Sequence, residues 1–158
     1  MKLKNKIKVA IDSPAAAGAG TQAKLISKYF NLFYLDTGKI YRLIASIKLK
    51  QPKKYNGSCL DGRDITYKII PDADFKFFIT ANTKTRALRR YKELKGLNKK
   101  ISFNEVLKSI KKRDKSDYNR KISPLKKTKD SVLINTTKHT KRACFLKIKN
   151  IMNRKLKT

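Results

Sequence analysis

The apolar residues of this chain fall into short runs separated by stretches with helical spacing. Continuous apolar runs at residues 9–11, 32–35, 75–79 and 132–134 are typical of strands that are buried on both faces. A shorter run at residues 58–60 ends in charged residues. Strand and helix alternate along the chain, which predicts an α/β domain of three layers with a mainly parallel sheet flanked by helices. No repeat or linker divides residues 1–158, so we expect a single domain.

Helices are predicted between these runs from local start and stop signals. The first ends near Tyr29, because Asn31 interrupts the pattern. Ser102 and Glu105 form a capping box that opens a helix whose Val106, Leu107 and Ile110 share one face. The last helix places Cys144, Ile148 and Ile151 on its packed face. Further helices are predicted at 40–45 and 83–94, turns or connections at 48–58, 71–74 and 95–100, and a stop at Pro124.

Polar clusters directly follow three of the predicted strands. They occupy residues 13–21, 36–42 and 61–64. The carboxyl ends of parallel strands lie at one edge of a sheet, and ligands bind there in open α/β folds. Solvation alone does not readily explain three such clusters, which therefore favour a nucleotide site.

The segment 13–21, called here the phosphate loop, has the composition of a phosphate cradle. Small residues between a strand and a helix let several backbone N–H groups face one anion, and the helix N-terminus adds partial positive charge. The motif G-x-x-x-x-G-K-[ST] is incomplete, since Ser13 stands at the first glycine and Ala19 at the lysine. Thr21 offers a hydroxyl for a magnesium ion bound to the phosphates. An ordinary tight strand–helix turn is the alternative.

The net charge is extreme, with 41 Lys and Arg against 11 Asp and Glu, or +30. Such a surface attracts polyanions and allows non-specific binding of nucleic acid. Because the lysines are scattered rather than gathered into one tract, compositional drift on a solvated surface is the favoured explanation of the charge, and selected binding of a polyanion is the alternative.

Other classes of function are disfavoured by composition. His139 is the sole histidine, and Cys59 and Cys144 are far apart, which argues against a zinc set, a Ser/Cys–His nucleophile or a disulfide scaffold. The start of the chain has too short an apolar run for a signal peptide, and nothing approaches a membrane span. We therefore expect a soluble, cytoplasmic and monomeric protein.

Several motifs together carry a resemblance to a known family. They are Asp36-Thr37-Gly38-x-x-Tyr41-Arg42, Asp61-Gly62-Arg63-Asp64, Pro71-Asp72-Ala73, and Arg113-Asp114-x-x-Asp117-x-x-Arg120 before Pro124. With the phosphate loop, this set resembles bacterial cytidylate kinases, which are nucleoside monophosphate kinases with the P-loop fold. The resemblance implies transfer of the γ-phosphoryl group of ATP, with Mg²⁺, to CMP or dCMP.

The resemblance also implies roles for individual residues. The ATP phosphates would be held by the phosphate loop, through Ser13, Ala16, Ala17, Gly18, Ala19, Gly20 and Thr21. The acceptor nucleotide would contact Asp36, Thr37, Gly38, Arg42, Asp61, Arg63 and Asp117. Arg42 and Arg63 would grip its phosphate, since a planar guanidinium matches two oxygens at once. Asp117 would reach the sugar hydroxyls.

Catalysis would rest on Arg63, Arg113 and Arg120, the last two on a lid-like segment of about residues 90–122. Asp36 and Asp61 would orient the arginines and the waters of Mg²⁺, which Thr21 would hold indirectly. Arg89 and Arg90 are weaker candidates, and Tyr34 and Tyr41 are expected in the core.

Simpler interpretations remain for these motifs. Arg42 is also compatible with a solvated helix, and residues 61–64 with a hairpin or turn. Residues 113–120 are compatible with an exposed helix end that contains an Arg113–Asp117 ion pair.

The chain departs from the family pattern in two places. Ala19 removes the lysine that follows the transferred charge, so Lys24, Lys39 or a lid arginine would have to substitute. Residues 46–60 also leave no room for the family's small acceptor subdomain. Two alternative functions therefore stay open: another nucleoside monophosphate kinase acting on AMP or UMP, and a kinase-derived protein that binds nucleotide or RNA with little or no turnover.

Overall fold

The computed structural model describes residues 6–36, 55–97 and 100–157. The predicted helix at 40–45 lies outside these ranges. The strands are β1 (Ile7–Asp12), β2 (Phe33–Asp36), β3 (Gly57–Gly62), β4 (Phe75–Thr80) and β5 (Val132–Asn135). The helices are α1 (Ala19–Phe30), a short π-helix (Ile65–Ile69), α2 (Thr83–Gly96), α3 (Phe103–Asn119) and α4 (Lys141–Lys157).

The five strands form one parallel sheet in the order β2-β3-β1-β4-β5. β1 lies at the centre, with Ile11 level with Asp61 of β3 and Phe77 of β4. The predicted α/β fold with a parallel sheet is confirmed. A hairpin at residues 61–64 is excluded, because β3 pairs in parallel with both of its neighbours.

The core occupies both faces of the sheet, which explains the continuous apolar runs. Val9, Ala10 and Ile11 are completely buried. One face packs beneath α1 and α4 in a large apolar cluster, and the other packs a smaller cluster that includes Ile65 of the π-helix. Parallel strands covered on both sides need apolar residues at every position.

The helix ends follow the predicted signals with small differences. α1 begins at Ala19, after Gly18 in the left-handed region at φ 94°. Asn31, also left-handed, ends α1 as predicted. The capping box of α3 is confirmed, with Glu105 N donating to Ser102 Oγ at 3.2 Å and Ser102 N to Glu105 Oε2 at 2.7 Å.

Two other predicted boundaries shift by a few residues. α2 continues to Gly96, so the first two residues of the predicted 95–100 connection are helical. In α4 the buried face holds Cys144, Ile148 and Met152, while Ile151 is only half-buried. The face therefore follows an i, i+4, i+8 spacing. No helix among the described residues has the length and hydropathy needed to cross a membrane.

Candidate functional site

The phosphate loop connects β1 to α1 at the carboxyl edge of the sheet. Two of its residues, Ala16 at φ 58° and Gly18 at φ 94°, adopt the left-handed region. For an alanine this conformation is uncommon and costs about 1 kcal/mol or more. The surrounding structure must therefore impose the shape of the loop.

Two arginines of α2 hold the phosphate loop in place through hydrogen bonds to its backbone carbonyls. Arg86 is buried and donates from Nη1 to the carbonyl of Ala15 at 3.2 Å. Arg89 donates to the carbonyl of Ala17 at 3.3 Å, and Thr136 Oγ1 donates to the same carbonyl at 2.9 Å. Arg89, a weaker candidate for the site, thus supports the loop.

One cavity, here called the arginine cavity, brings together the predicted site residues that the structure describes, apart from the weaker candidates Arg89 and Arg90. Its volume is about 530 Å³. Its lining includes Ser13, Ala16, Ala17, Gly18, Ala19, Gly20, Thr21, Asp36, Asp61, Arg63, Arg113, Asp117 and Arg120. Pro14, Ala15, Lys24, Tyr34 and Gly62 complete it. Thr37, Gly38, Tyr41 and Arg42 lie outside the described residues.

Two carboxylates stand at adjacent strand tips on one side of this cavity. Asp36 of β2 is level with Asp61 of β3. Burial raises the pKa of Asp61, and the hydrogen bond from Tyr34 and the charge of Arg63 oppose that rise. Tyr34 packs against the core cluster as expected but also lines the cavity, and burial, with Asp61 next, raises its pKa.

The oxygen donors present suit a magnesium ion that binds mainly through water and phosphate. Mg²⁺ is usually held by one or two carboxylates together with substrate phosphates. Asp36 and Asp61 supply the carboxylates around the cavity; Gly20 stands at the Ser/Thr position of the loop motif, so the next hydroxyl along the chain is that of Thr21. Within the ranges that the structure describes, no group of three or more His, Cys, Asp or Glu side chains forms a complete protein cage for a metal.

The opposite side of the cavity carries the guanidinium groups. Arg63 Nε lies 2.8 Å from Asp117 Oδ2, and both side chains are largely buried. Arg113 Nε lies 4.0 Å from the same oxygen, and its side chain is 63% exposed. The predicted Arg113–Asp117 pair is therefore long, and the carboxylate of Asp117 is engaged chiefly by Arg63.

Arg120 is positioned by the end of α3. Its Nε donates to the carbonyl of Ser123, a residue in the left-handed region at φ 56°. Its Nη2 is buried and has no hydrogen-bond partner in the described part of the chain. This nitrogen is an unsatisfied buried donor on a residue that lines the arginine cavity.

A second cavity, here called the Thr136 cavity, lies on the other side of the phosphate loop. Its volume is about 640 Å³. Its lining includes Ala16, Ala17, Gly18, Thr21, Gln22, Arg89, Arg90, Thr136, His139 and Cys144. Four loop residues, Ala16, Ala17, Gly18 and Thr21, border both cavities. No local sequence pattern predicts this second cavity, because its position depends on where the chain passes from β5 to α4.

Two structurally important polar residues were also missed. Asp12, completely buried, accepts hydrogen bonds from Ile65 N at 2.7 Å and from Thr66 N at 2.9 Å. It thereby fixes the π-helix that follows residues 61–64. Arg86 is the second. An acidic residue ending an otherwise apolar strand was the available signal for Asp12; nothing local distinguishes Arg86 from its neighbours.

Comparison with known proteins gives a consistent result. The sequence model of the Cytidylate kinase family matches residues 9–56 and 47–154. Cytidylate kinase of Clostridium tetani (strain Massachusetts / E88) is 35% identical over 199 aligned positions, covering 85% of this chain and 88% of that protein. Cytidylate kinase of Clostridium botulinum (strain Langeland / NCTC 10281 / Type F) is 35% identical, covering 94% and 98%. Cytidylate kinase of Mesomycoplasma hyopneumoniae (strain 7448) is 31% identical, covering 96% and 95%.

A solved structure shares the fold. The crystal structure of an uncharacterized protein from Eubacterium ventriosum ATCC 27560 matches with a TM-score of 0.70 and 17% identity, covering 94% of this chain and 99% of that one. At that identity the match speaks for the architecture alone.

The alignments also show where this chain is shorter than its relatives. The alignment with the C. botulinum protein spans 216 positions, 58 more than the 158 residues of this chain. The family model matches in two segments, which overlap at residues 47–56 of this chain. The shortening therefore centres on the connection in which the sequence analysis found no acceptor subdomain.

Proposed function

The chain belongs to the cytidylate kinase family, and we propose on that premise that it transfers the γ-phosphoryl group of ATP to CMP or dCMP. The products are ADP and CDP or dCDP. The structural observation that carries the proposal is the position of the phosphate loop as the shared wall of two cavities.

This placement suits a reaction between two nucleotides. The attacking and leaving oxygens must lie in line through the transferred phosphorus, so both phosphates must meet beside the phosphate loop while the two nucleosides extend from it in different directions. The Thr136 cavity would take the nucleoside of ATP, and the arginine cavity the acceptor phosphate. Arg63, Arg113 and Arg120 line only the second of these spaces.

The chemistry requires little beyond positioning and neutralisation of charge. In phosphoryl transfer the negative charge is spread over the equatorial oxygens, and preorganised donors stabilise it. The backbone amides of the phosphate loop would bind the ATP phosphates, and Arg63 the acceptor phosphate. Arg120, with its unsatisfied Nη2, and Arg113, on the exposed side, would contact the group in transfer. Asp117 would orient Arg63 through the bond they share, and would reach the sugar hydroxyls once an acceptor phosphate engages Arg63.

Magnesium is part of the proposal. Bound Mg²⁺ neutralises phosphate oxygens of the nucleotide. Asp36 and Asp61 would hold water molecules bound to the magnesium ion. The Thr21 hydroxyl would hold the ion indirectly from the phosphate loop. Thr37, Gly38 and Arg42 stay predicted acceptor contacts, since they lie outside the described residues.

A coupled assay of ADP release with CMP, dCMP, UMP and AMP tests the proposal. We expect turnover with CMP and dCMP. Turnover only with AMP or UMP would identify a different nucleoside monophosphate kinase. Absence of ADP release with every acceptor would instead support binding without turnover, which Ala19 at the lysine position favours.

Two expectations concern the whole molecule. We propose that it acts as a monomer in the cytoplasm; both thiols are unpaired in the structure, which agrees with a reducing compartment. Light scattering and cell fractionation measure these properties. Non-specific binding to nucleic acid through the +30 charge would weaken steeply with salt.

A further inference from the structure

The residue at the lysine position of the phosphate loop provides no charge. Ala19 is the first residue of α1 and is buried. In the motif, the lysine at this position reaches the β- and γ-phosphates. A chain that transfers phosphoryl groups without it needs a cation from elsewhere in the same cavity.

Lys24 lies on the face of α1 that borders the arginine cavity. Residues 20 and 24 are neighbours on one helix face, because they are four positions apart. That face is directed at the cavity: a Cβ at Gly20 would lie 3.5 Å from Tyr34 Oη and 3.6 Å from Asp61 Oδ2. Lys24 itself lines the cavity.

The geometry of α1 also gives Lys24 a path toward the phosphate loop. Side chains in a helix lean toward its N-terminus and cover the preceding turn. The residue one turn before Lys24 is Gly20, which has no side chain to occupy that space. The long stem of Lys24 can therefore lie over Gly20, with the ammonium directed at the start of the helix.

The charge of Lys24 is available for an anion. Among the described residues, no carboxylate lies within ion-pair distance of its ammonium, whereas Arg63 is already bound to Asp117. Its positive charge nevertheless acts on Asp61 across the cavity. Of the described residues that line this cavity, Lys24 is the sole lysine.

We propose that Lys24 is a catalytic residue that supplies, from the fifth position after Ala19, the positive charge that the phosphate loop lacks. It contacts the oxygens of the γ-phosphoryl group as that group passes to the acceptor. The inference rests on the proposed function, and it adds a residue and a position that the loop motif does not contain.

The experiment compares four variants in the ADP-release assay with CMP. Lys24→Met is expected to lower kcat by about 10²–10³-fold, the typical loss on removing one preorganised stabiliser. Lys28→Met, one turn further along α1 and exposed, is the matched control and is expected to keep wild-type activity. Lys24→Arg, which keeps the charge, is expected to retain more activity than Lys24→Met.

The fourth variant distinguishes a chemical role from a structural one. Introducing Ala19→Lys into the Lys24→Met background is expected to recover at least tenfold in kcat, because the charge returns at the motif position. Thermal melts of all four variants check that the fold is kept. Equal kcat for Lys24→Met and Lys28→Met would overturn the inference alone. A wild-type protein that releases no ADP with any acceptor would overturn the proposed function and the inference with it.

Discussion

The Arg86 guanidinium and the Asp114 carboxylate form a two-point ion pair between α2 and α3, with N–O distances of 2.8 and 2.6 Å. The same guanidinium donates to the carbonyl of Ala15 in the phosphate loop. One buried arginine therefore holds the loop, α2 and α3 in a fixed arrangement. α3 carries Arg113 and Asp117 and ends next to Arg120, so this pair sets where the guanidinium groups of the site lie.

Breaking this pair is expected to destabilise the protein strongly. Arg86→Met leaves the Asp114 carboxylate largely buried without its partner, a loss of about 3–5 kcal/mol in the free energy of unfolding. Urea unfolding followed by circular dichroism measures it. The control is Arg90→Met, which removes the exposed Arg90–Glu93 pair and is expected to cost less than about 1 kcal/mol. Equal effects of the two variants would show that the buried pair contributes little.

Arg63→Ala tests the acceptor side of the site. We expect kcat with CMP to fall by about 10²–10³-fold, because a preorganised phosphate donor is removed. The melting temperature should fall as well, because Asp117, whose side chain is 14% exposed, loses its main partner, so thermal melts check that the variant is folded at the assay temperature. Arg154→Ala serves as the control: Arg154 is exposed near the C-terminal end of α4, which returns to the edge of the sheet opposite the site. Retained activity in Arg63→Ala would remove Arg63 from the mechanism.

Asp12→Ala tests the anchor beneath the site. The substitution leaves the amides of Ile65 and Thr66 buried without an acceptor, which is expected to cost about 3 kcal/mol. Thr66→Val removes only the hydrogen bond that Thr66 Oγ1 donates to Asp12 Oδ2 at 2.5 Å, and it is expected to cost about 1 kcal/mol. Chemical denaturation gives both values. A loss for Asp12→Ala no larger than that for Thr66→Val would mean that the π-helix holds its position without this carboxylate.

Thiol labelling tests the burial of Cys59. Burial raises the pKa of Cys59 from 9.0 to about 12, so at pH 8 its reactive thiolate is about a thousandfold rarer than in the unfolded chain. In the folded protein Cys59 should react negligibly with iodoacetamide, while urea should expose both Cys59 and Cys144. Rapid labelling of Cys59 in the folded protein, located by mass spectrometry, would contradict this.

The same pKa predicts an alkaline limit to stability. The thiol keeps its proton longer in the folded state than in the unfolded state, so its contribution is complete below pH 9 and is lost as the pH rises toward 12. Cys59→Ala should reduce this part of the alkaline loss. Urea midpoints at pH 8 and pH 11 measure the difference between the two proteins.

The elements that could be predicted from sequence are those fixed by local patterns. The runs at 9–11 and 75–79 show buried strands because both faces of the sheet are covered. Ser102 and Glu105 satisfy amides within one turn, so three intervening positions suffice to recognise them. The convergence of the phosphate loop, Asp61 and Arg63 could also be predicted, since parallel strands end at one edge.

The rest depends on contacts between residues distant in sequence. Asp12 accepts hydrogen bonds from Ile65 and Thr66. Arg86 donates hydrogen bonds to Ala15 and Asp114. No local spacing in the sequence predicts either set of contacts. The partner of Asp117 shows the same limit: helical spacing offers the nearby Arg113 as an alternative partner, whereas the shortest contact comes from Arg63, 54 positions away. Helical periodicity shows which residues share the buried face of a helix, but it does not show which element packs against that face.

The division of space by the phosphate loop has a kinetic consequence. The two cavities share only Ala16, Ala17, Gly18 and Thr21 and are otherwise lined by different residues, so we expect that neither nucleotide has to pass through the space of the other. CMP and MgATP should therefore bind in either order, so a dead-end analogue of each nucleotide should be competitive with that nucleotide and noncompetitive with the other. The two products should likewise be able to depart in either order.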